Sequence, residues 1–280
     1  MTDRVTISID NGIADVRLNR VDKLNALDSA MFRALLDAGE QLANDGSIRA
    51  VVLSGNGAGF CAGLDFEGFA GMAGGGSTDP ETSLTWIGQV NDGAITHQAQ
   101  QVCWQWREMP APVIAAVHGV ALGGGCQLAL GADIRVVAPD SRMSVMESRW
   151  GLSPDMTVTQ TLIELVGIDV AKDLTFTARM VGGTEAVSLG LATAVAEDPH
   201  AAAMERAEAI AARSPHAMRA IKRMFNEAAK RSHAEGLAAE RSEIAALIGQ
   251  PNQVEAVMSY FEKREANYVS PDNADRGPLS

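Results

Sequence analysis

Residues 122–128 read LGGGCQL, set between the apolar runs PVIAAVHGVA and ALGADIRVV. Three successive glycines suit neither a strand nor a helix interior, where each costs conformational entropy. They suit a turn at which the backbone must approach something closely, because no Cβ intervenes. A helix starting there points free N–H groups outward and carries partial positive charge. A second unit, 48–66, has the same form: the apolar IRAVVLSG, a loop rich in glycine and alanine over 55–63, then LDF. One N–H from each unit, converging on one oxygen, makes an oxyanion hole, which stabilises negative charge developing on a carbonyl. Close packing alone is the other use of such turns.

Rival chemistries lack their signals. A G-x-G-x-x-G turn requires glycine where Leu128 stands, no Gly-Lys pair exists for a P-loop, and no G-x-S-x-G marks a serine hydrolase. His97, His118, His200, His216 and His233 lack ligand spacing, so no metal site is expected. Cys61 and Cys126 lie inside the two glycine units with no histidine placed to activate them. They read as small, partly buried residues rather than nucleophiles.

The surrounding elements must position these turns. Val5, Ile7 and Ile9 alternate, Asn11-Gly12 turns the chain, and Ala14, Val16 and Leu18 alternate again, which predicts a hairpin. Asp28 is placed to cap a helix reaching about Asn44, with Phe32, Leu35, Leu36 and Leu42 on its apolar face. Residues 48–55, PVIAAV and 132–138 read as buried strands, and 84–108, with Trp86, Trp104 and Trp106, as helical. Strand and helix alternate, so the core is expected to be α/β. Phe66 and the tryptophans are candidates to line an apolar pocket, although aromatics at helical spacing are more often plain core. The glycine-rich stretch 68–80 is a candidate lid. From residue 200 onward four amphipathic helical segments follow, expected to pack on the core or on another subunit. The end of the chain, 269–280, reads as a disordered tail.

A hydrophobic content of 46% over 280 residues is ample for a core, and 21% charged residues argues against wholesale disorder. A net charge of −12 opposes nucleic acid or an anionic membrane as main partner. Three cysteines, no basic-plus-apolar leader and no unbroken apolar span predict a reduced, cytoplasmic protein.

FCAGLDF (60–66) together with PVIAAVHGVALGGGCQLAL (112–130) resembles the enoyl-CoA hydratase/isomerase, or crotonase, superfamily. LNRVDKLNALD (18–28), MESRWGLSPDMTVTQTL (146–162), LTFTARMVGGTEAVSLGLATAV (174–195) and YFEKREANY (260–268) are similar to its other segments. The resemblance implies an α/β fold: a spiral of ββα units over 1–199 and a C-terminal helical region over 200–268 that builds homotrimers or dimers of trimers. It implies an acyl-CoA substrate, with CoA carried by the substrate and no separate cofactor. Ala62 and Gly124 would give the oxyanion-hole N–H groups. Gly63, Leu64, Asp65 and the segment holding Lys23, Leu24 and Ala26 would line the CoA. Lys222, Arg223 and Lys263 are candidates for its phosphates, against the commoner reading as solvated surface residues.

The same register shows what is missing. Hydratases of the family hold water between two glutamates. One position falls on Glu147, four before Gly151; the other, three after Gly124, is Gln127. An amide has no proton to lose near neutral pH, so Gln127 is expected to line the site without transferring one. Asp155, eight after Glu147, matches the dienoyl-CoA isomerase branch, as does FTAR at 176–179; as a residue after Pro154 it is equally good turn chemistry. Glu147, aided by Asp155, therefore points to double-bond isomerisation. Hydration by Glu147 alone is the nearest alternative, and a non-catalytic CoA-ester binding subunit is the alternative of another kind.

Overall fold

The structure, a computed structural model, describes residues 3–65 and 84–271. Its first elements follow the hydrophobic pattern closely. β1 (Val5–Asp10) and β2 (Ile13–Leu18) form an antiparallel hairpin around Asn11 and Gly12, both at positive φ. The Asp28 side chain accepts from the Met31 N–H and starts α1 (Ser29–Ala43). β3 (Ala50–Gly55), β4 (Val113–Val117), β6 (Ile134–Val137) and β9 (Ala194–Val195) extend β2 in parallel, in the order β1-β2-β3-β4-β6-β9. A smaller sheet joins β5 (Val120–Leu122), β7 (Arg142–Ser144) and β8 (Val181–Gly182). After the first four strands the chain crosses between the two sheets, from β4 to β5, β5 to β6, β6 to β7 and β8 to β9.

Period-two side chains fix the layers. Val51 and Leu53 of β3, and Val113, Ala115 and Val117 of β4, enter a core shared with α1 and with α2 (Gln98–Glu108). Ala50, Val52, Ile114 and Ala116 point the other way, against Ala203, Ala207 and Ala211 of α7 (Pro199–Ala211). Between them in sequence come α3 (Gly124–Leu130), α4 (Val158–Val166), α5 (Ile168–Thr177) and α6 (Gly183–Leu189).

One expectation needs revision here. The helix expected over 84–108 is a short 3-10 turn, Thr85–Gly88, followed by irregular chain and then α2. The break has a local cause: Asn91-Asp92-Gly93 makes a turn with Gly93 at φ +80°, and His97 with Gln100 forms a capping box that starts the helix afresh. Phe66, the stretch 68–80 and most of the tail 269–280 lie outside the described residues. Of the last helices, α8 (Pro215–Ala228), α9 (His233–Leu247) and α10 (Pro251–Glu262), α8 buries Pro215, Arg219, Ala220 and Lys222 and α10 buries Asn252 and Ser259, whereas α9 buries nothing. No helix among the described residues is long and apolar enough to cross a membrane.

Candidate active site

The second glycine turn links β5 to α3. Gly123 has φ +51° and ψ −120°, a region that side chains with a Cβ rarely enter, and it aims the chain into α3. A Cβ on Gly125 would stand 2.3 Å from the Cys61 carbonyl oxygen, so glycine there lets the two turns touch. All of α3 is buried. Gly124 is its first residue, so its N–H has no partner within the helix.

The first turn lies alongside. The Phe60 and Cys61 N–H groups donate to the carbonyls of His118 and Val120, and Leu122 N–H donates back to Cys61. The Ala62 N–H is already used: it donates to the Leu24 carbonyl at 2.9 Å. Gly63 N–H faces the Cys61 sulfur, and Asp65 N–H donates to Leu27 at 3.1 Å. Leu64 N–H is the donor of this turn that has no backbone partner among the described residues. It follows Gly63, whose Cβ position would be 3.6 Å from the Gly124 nitrogen. The N–H expected to act at Ala62 is therefore occupied, and Leu64 replaces it as the candidate donor beside Gly124.

The segment 20–27 is what occupies Ala62. Leu24 and Asn25 are both left-handed, at φ +49° and +58°. Buried Asn25 holds this shape: its Nδ2 donates to the carbonyls of Asn56 and Gly59, and its Oδ1 accepts from Arg20 N–H. Lys23 and Leu24 lie exposed beside the turn, while Ala26 faces inward and its carbonyl accepts from Arg20. Asp65 is not a free ligand contact. It is buried in an ion pair with Arg20, which also meets Asp28 at 3.4 Å. Arg20 and Asn25 escaped the sequence reading because a polar residue in a loop carries no sign that it will be buried.

The carboxylate follows β7. Glu147 opens the 3-10 turn Glu147–Trp150. Its Oε1 accepts from Gln127 Nε2 at 2.5 Å, and its Oε2 is buried with no hydrogen-bond partner. Burial raises its pKa above the usual carboxylate value; hydrogen bonds from its own N–H and from Gln127 oppose this, and the charge of Asp155 adds to it. Gln127 is fully buried, and its Oε1 accepts from the N–H groups of Met156 and Val158 at 2.9 and 3.4 Å. Asp155 is exposed, near enough to act on Glu147 through space.

The other candidates sort themselves by burial and partners. Trp106 is fully buried core; Trp104 bonds Glu108 of its own helix, and Trp86 bonds Ser29. Lys222 is buried, donating to Asp133 and to the carbonyls of Trp106 and Ala111, and Arg223 pairs with Glu243. Both are thus held in ion pairs within the chain, and Lys263 is exposed. Burial pushes the thiols of Cys61 and Cys126 up to about 12, which leaves them inert. A cavity of about 990 Å³ lies between α1, α2 and α8, lined by none of the residues of this site.

The family model described as enoyl-CoA hydratase/isomerase matches residues 8–271. The mouse mitochondrial methylglutaconyl-CoA hydratase is 30% identical over 264 residues, covering 92% of this chain and 79% of its own. The human mitochondrial enoyl-CoA hydratase domain-containing protein 2 is 33% identical, covering 93% and 86%. Among solved structures, the enoyl-CoA hydratase from Mycobacterium tuberculosis H37Rv superposes with a TM-score of 0.82 at 28% identity, covering 96% of this chain and all of its own.

Proposed function

The chain belongs to the enoyl-CoA hydratase/isomerase family, and we propose that it moves a double bond along an acyl-CoA through an enolate, with Glu147 as its proton carrier. The observation that carries this is Gln127. Where a second carboxylate would hold water, a buried amide is tied at both ends, to Glu147 on one side and to Met156 and Val158 on the other. That leaves the unpartnered Oε2 of Glu147 to act.

The N–H groups of Leu64 and Gly124 donate hydrogen bonds to the thioester carbonyl oxygen. Glu147 Oε2 removes a proton from C2 of a 3-enoyl thioester, and the electron pair spreads over the carbonyl and the alkene. The same carboxyl returns the proton at C4: one C–H bond breaks, one forms, and the alkene moves from C3–C4 to C2–C3. On a conjugated dienoyl thioester, this reading has the exposed Asp155 deliver the proton farther along the chain. A raised pKa suits a group that must act as base and then acid. The exposed apolar residues of α9 and α10, among them Leu237, Ile244, Val254 and Val257, fit a trimer that covers them.

The second reading is hydration, favoured by relatives whose names are hydratases. An ultraviolet assay with a trans-2-enoyl-CoA, a 3-enoyl-CoA and a 3,5-dienoyl-CoA separates them. Isomerisation predicts conversion of a 3-enoyl or dienoyl thioester with little loss of the 2-enoyl band. Rapid loss of that band overturns it, and binding without turnover of any thioester marks a non-catalytic subunit. Gln127→Glu restores the second carboxylate and is expected to raise hydration of the 2-enoyl-CoA.

A further inference from the structure

We propose that Gln127 is a positioning residue: held by the turn around Thr157, its amide grips one oxygen of Glu147 and leaves the other as the single proton-carrying atom. The proposal rests on the preceding reading only in taking Glu147 as the acid/base.

The amide has one permitted orientation. Its oxygen end meets two backbone donors, Met156 N–H at 2.9 Å and Val158 N–H at 3.4 Å. Reversed, it would set two N–H donors against two others and leave its oxygen against a carboxylate. The NH₂ end must therefore face Glu147 Oε1, as it does at 2.5 Å. Gln127 is fully buried, so solvent offers neither end a substitute.

The two backbone donors converge because of Thr157. It stands between them at φ +78° and ψ −3°, left-handed although β-branched. Its hydroxyl does not cap α4 and is buried without a hydrogen-bond partner. The chain keeps a strained residue and an unsatisfied hydroxyl at this position, and what the arrangement achieves is a pair of N–H groups aimed at one amide oxygen. The consequence falls on Glu147. A fixed donor on Oε1 favours the ionised form and opposes burial, while Oε2 has no hydrogen-bond partner among the described residues.

The test compares wild type, Gln127→Met and Gln127→Glu by infrared difference titration. The carboxyl band of Glu147 is identified by its loss in Glu147→Gln. Methionine fills the volume without donating. The titration midpoint is expected to move upward, and kcat to fall about tenfold with KM little changed, the loss expected for a hydrogen bond to a charged group. An unmoved midpoint in folded Gln127→Met overturns the proposal, whatever happens to kcat. If Gln127→Met gives no cooperative melt, Gln127→Glu carries the test. A carboxyl in contact with Glu147 must raise its midpoint by charge alone, so an upward shift supports the contact through which the amide acts and an unchanged midpoint overturns the proposal. The titration reads Glu147 directly, so a wild type that proves to hydrate refutes the isomerase reading without touching this one.

Discussion

The two glycine turns present the same thing, an unpartnered backbone N–H beside the other, by different means. At 122–125 the donor is free because helices leave their first N–H groups unused, and Gly124 is where α3 begins. At 60–65 no such rule applies. Leu64 is free because its neighbours are taken: Ala62 by Leu24, Gly63 by the Cys61 sulfur, Asp65 by Leu27. The second turn carries its function in its own sequence. The first borrows it from a segment some forty residues earlier in the chain, clamped there by Arg20 and Asp65.

The largest expected effect tests the chemistry both turns serve. Glu147→Gln should lower turnover by about 10²–10⁴-fold with the fold intact; full turnover would show that the turns face a different base. Next comes the choice of donor. Replacing Leu64 by its α-hydroxy analogue deletes only the N–H, and kcat should drop by about 10²–10³-fold. The same replacement at Ala62 removes a tether to Leu24, so it should cost about 1 kcal/mol of stability with chemistry nearly unchanged. Equal losses of kcat at the two positions would erase the distinction drawn here.

The clamp predicts a loss confined to the first turn. Asp65→Asn removes the nearer of the two carboxylates that buried Arg20 meets and leaves it Asp28 alone, which should cost about 3 kcal/mol in a urea melt. It should also raise KM, because Leu64 is no longer held. The smallest effect is on stability against pH. The folded pKa of Glu147 lies above its unfolded value. Its protonated form therefore contributes stability that is complete below the ordinary carboxylate range and is lost as pH rises through the folded value. At neutral pH the ionised carboxylate opposes folding, so Glu147→Gln should melt higher than wild type there, and the gap should close near pH 4. On the same grounds, base-dependent turnover should fall on acidification at a pH above that of a free glutamate.

What the sequence determined by itself is what local physics decides. Alternation and Asn-Gly made the first hairpin, Asp28 made the start of α1, and the triple glycine made the turn into α3, because each depends on residues within a few positions of one another. The glutamine in place of a carboxylate was equally legible, since its chemistry needs no neighbours to state. Tertiary structure decided the rest. It gave the N–H of Ala62 to Leu24 and left that of Leu64 free, and it turned Asp65 inward to Arg20. It also tied Gln127 to the N–H groups of Met156 and Val158, on either side of a left-handed threonine thirty residues on. The reason is that a backbone donor or a buried charge is free or occupied only with respect to groups brought to it by the fold.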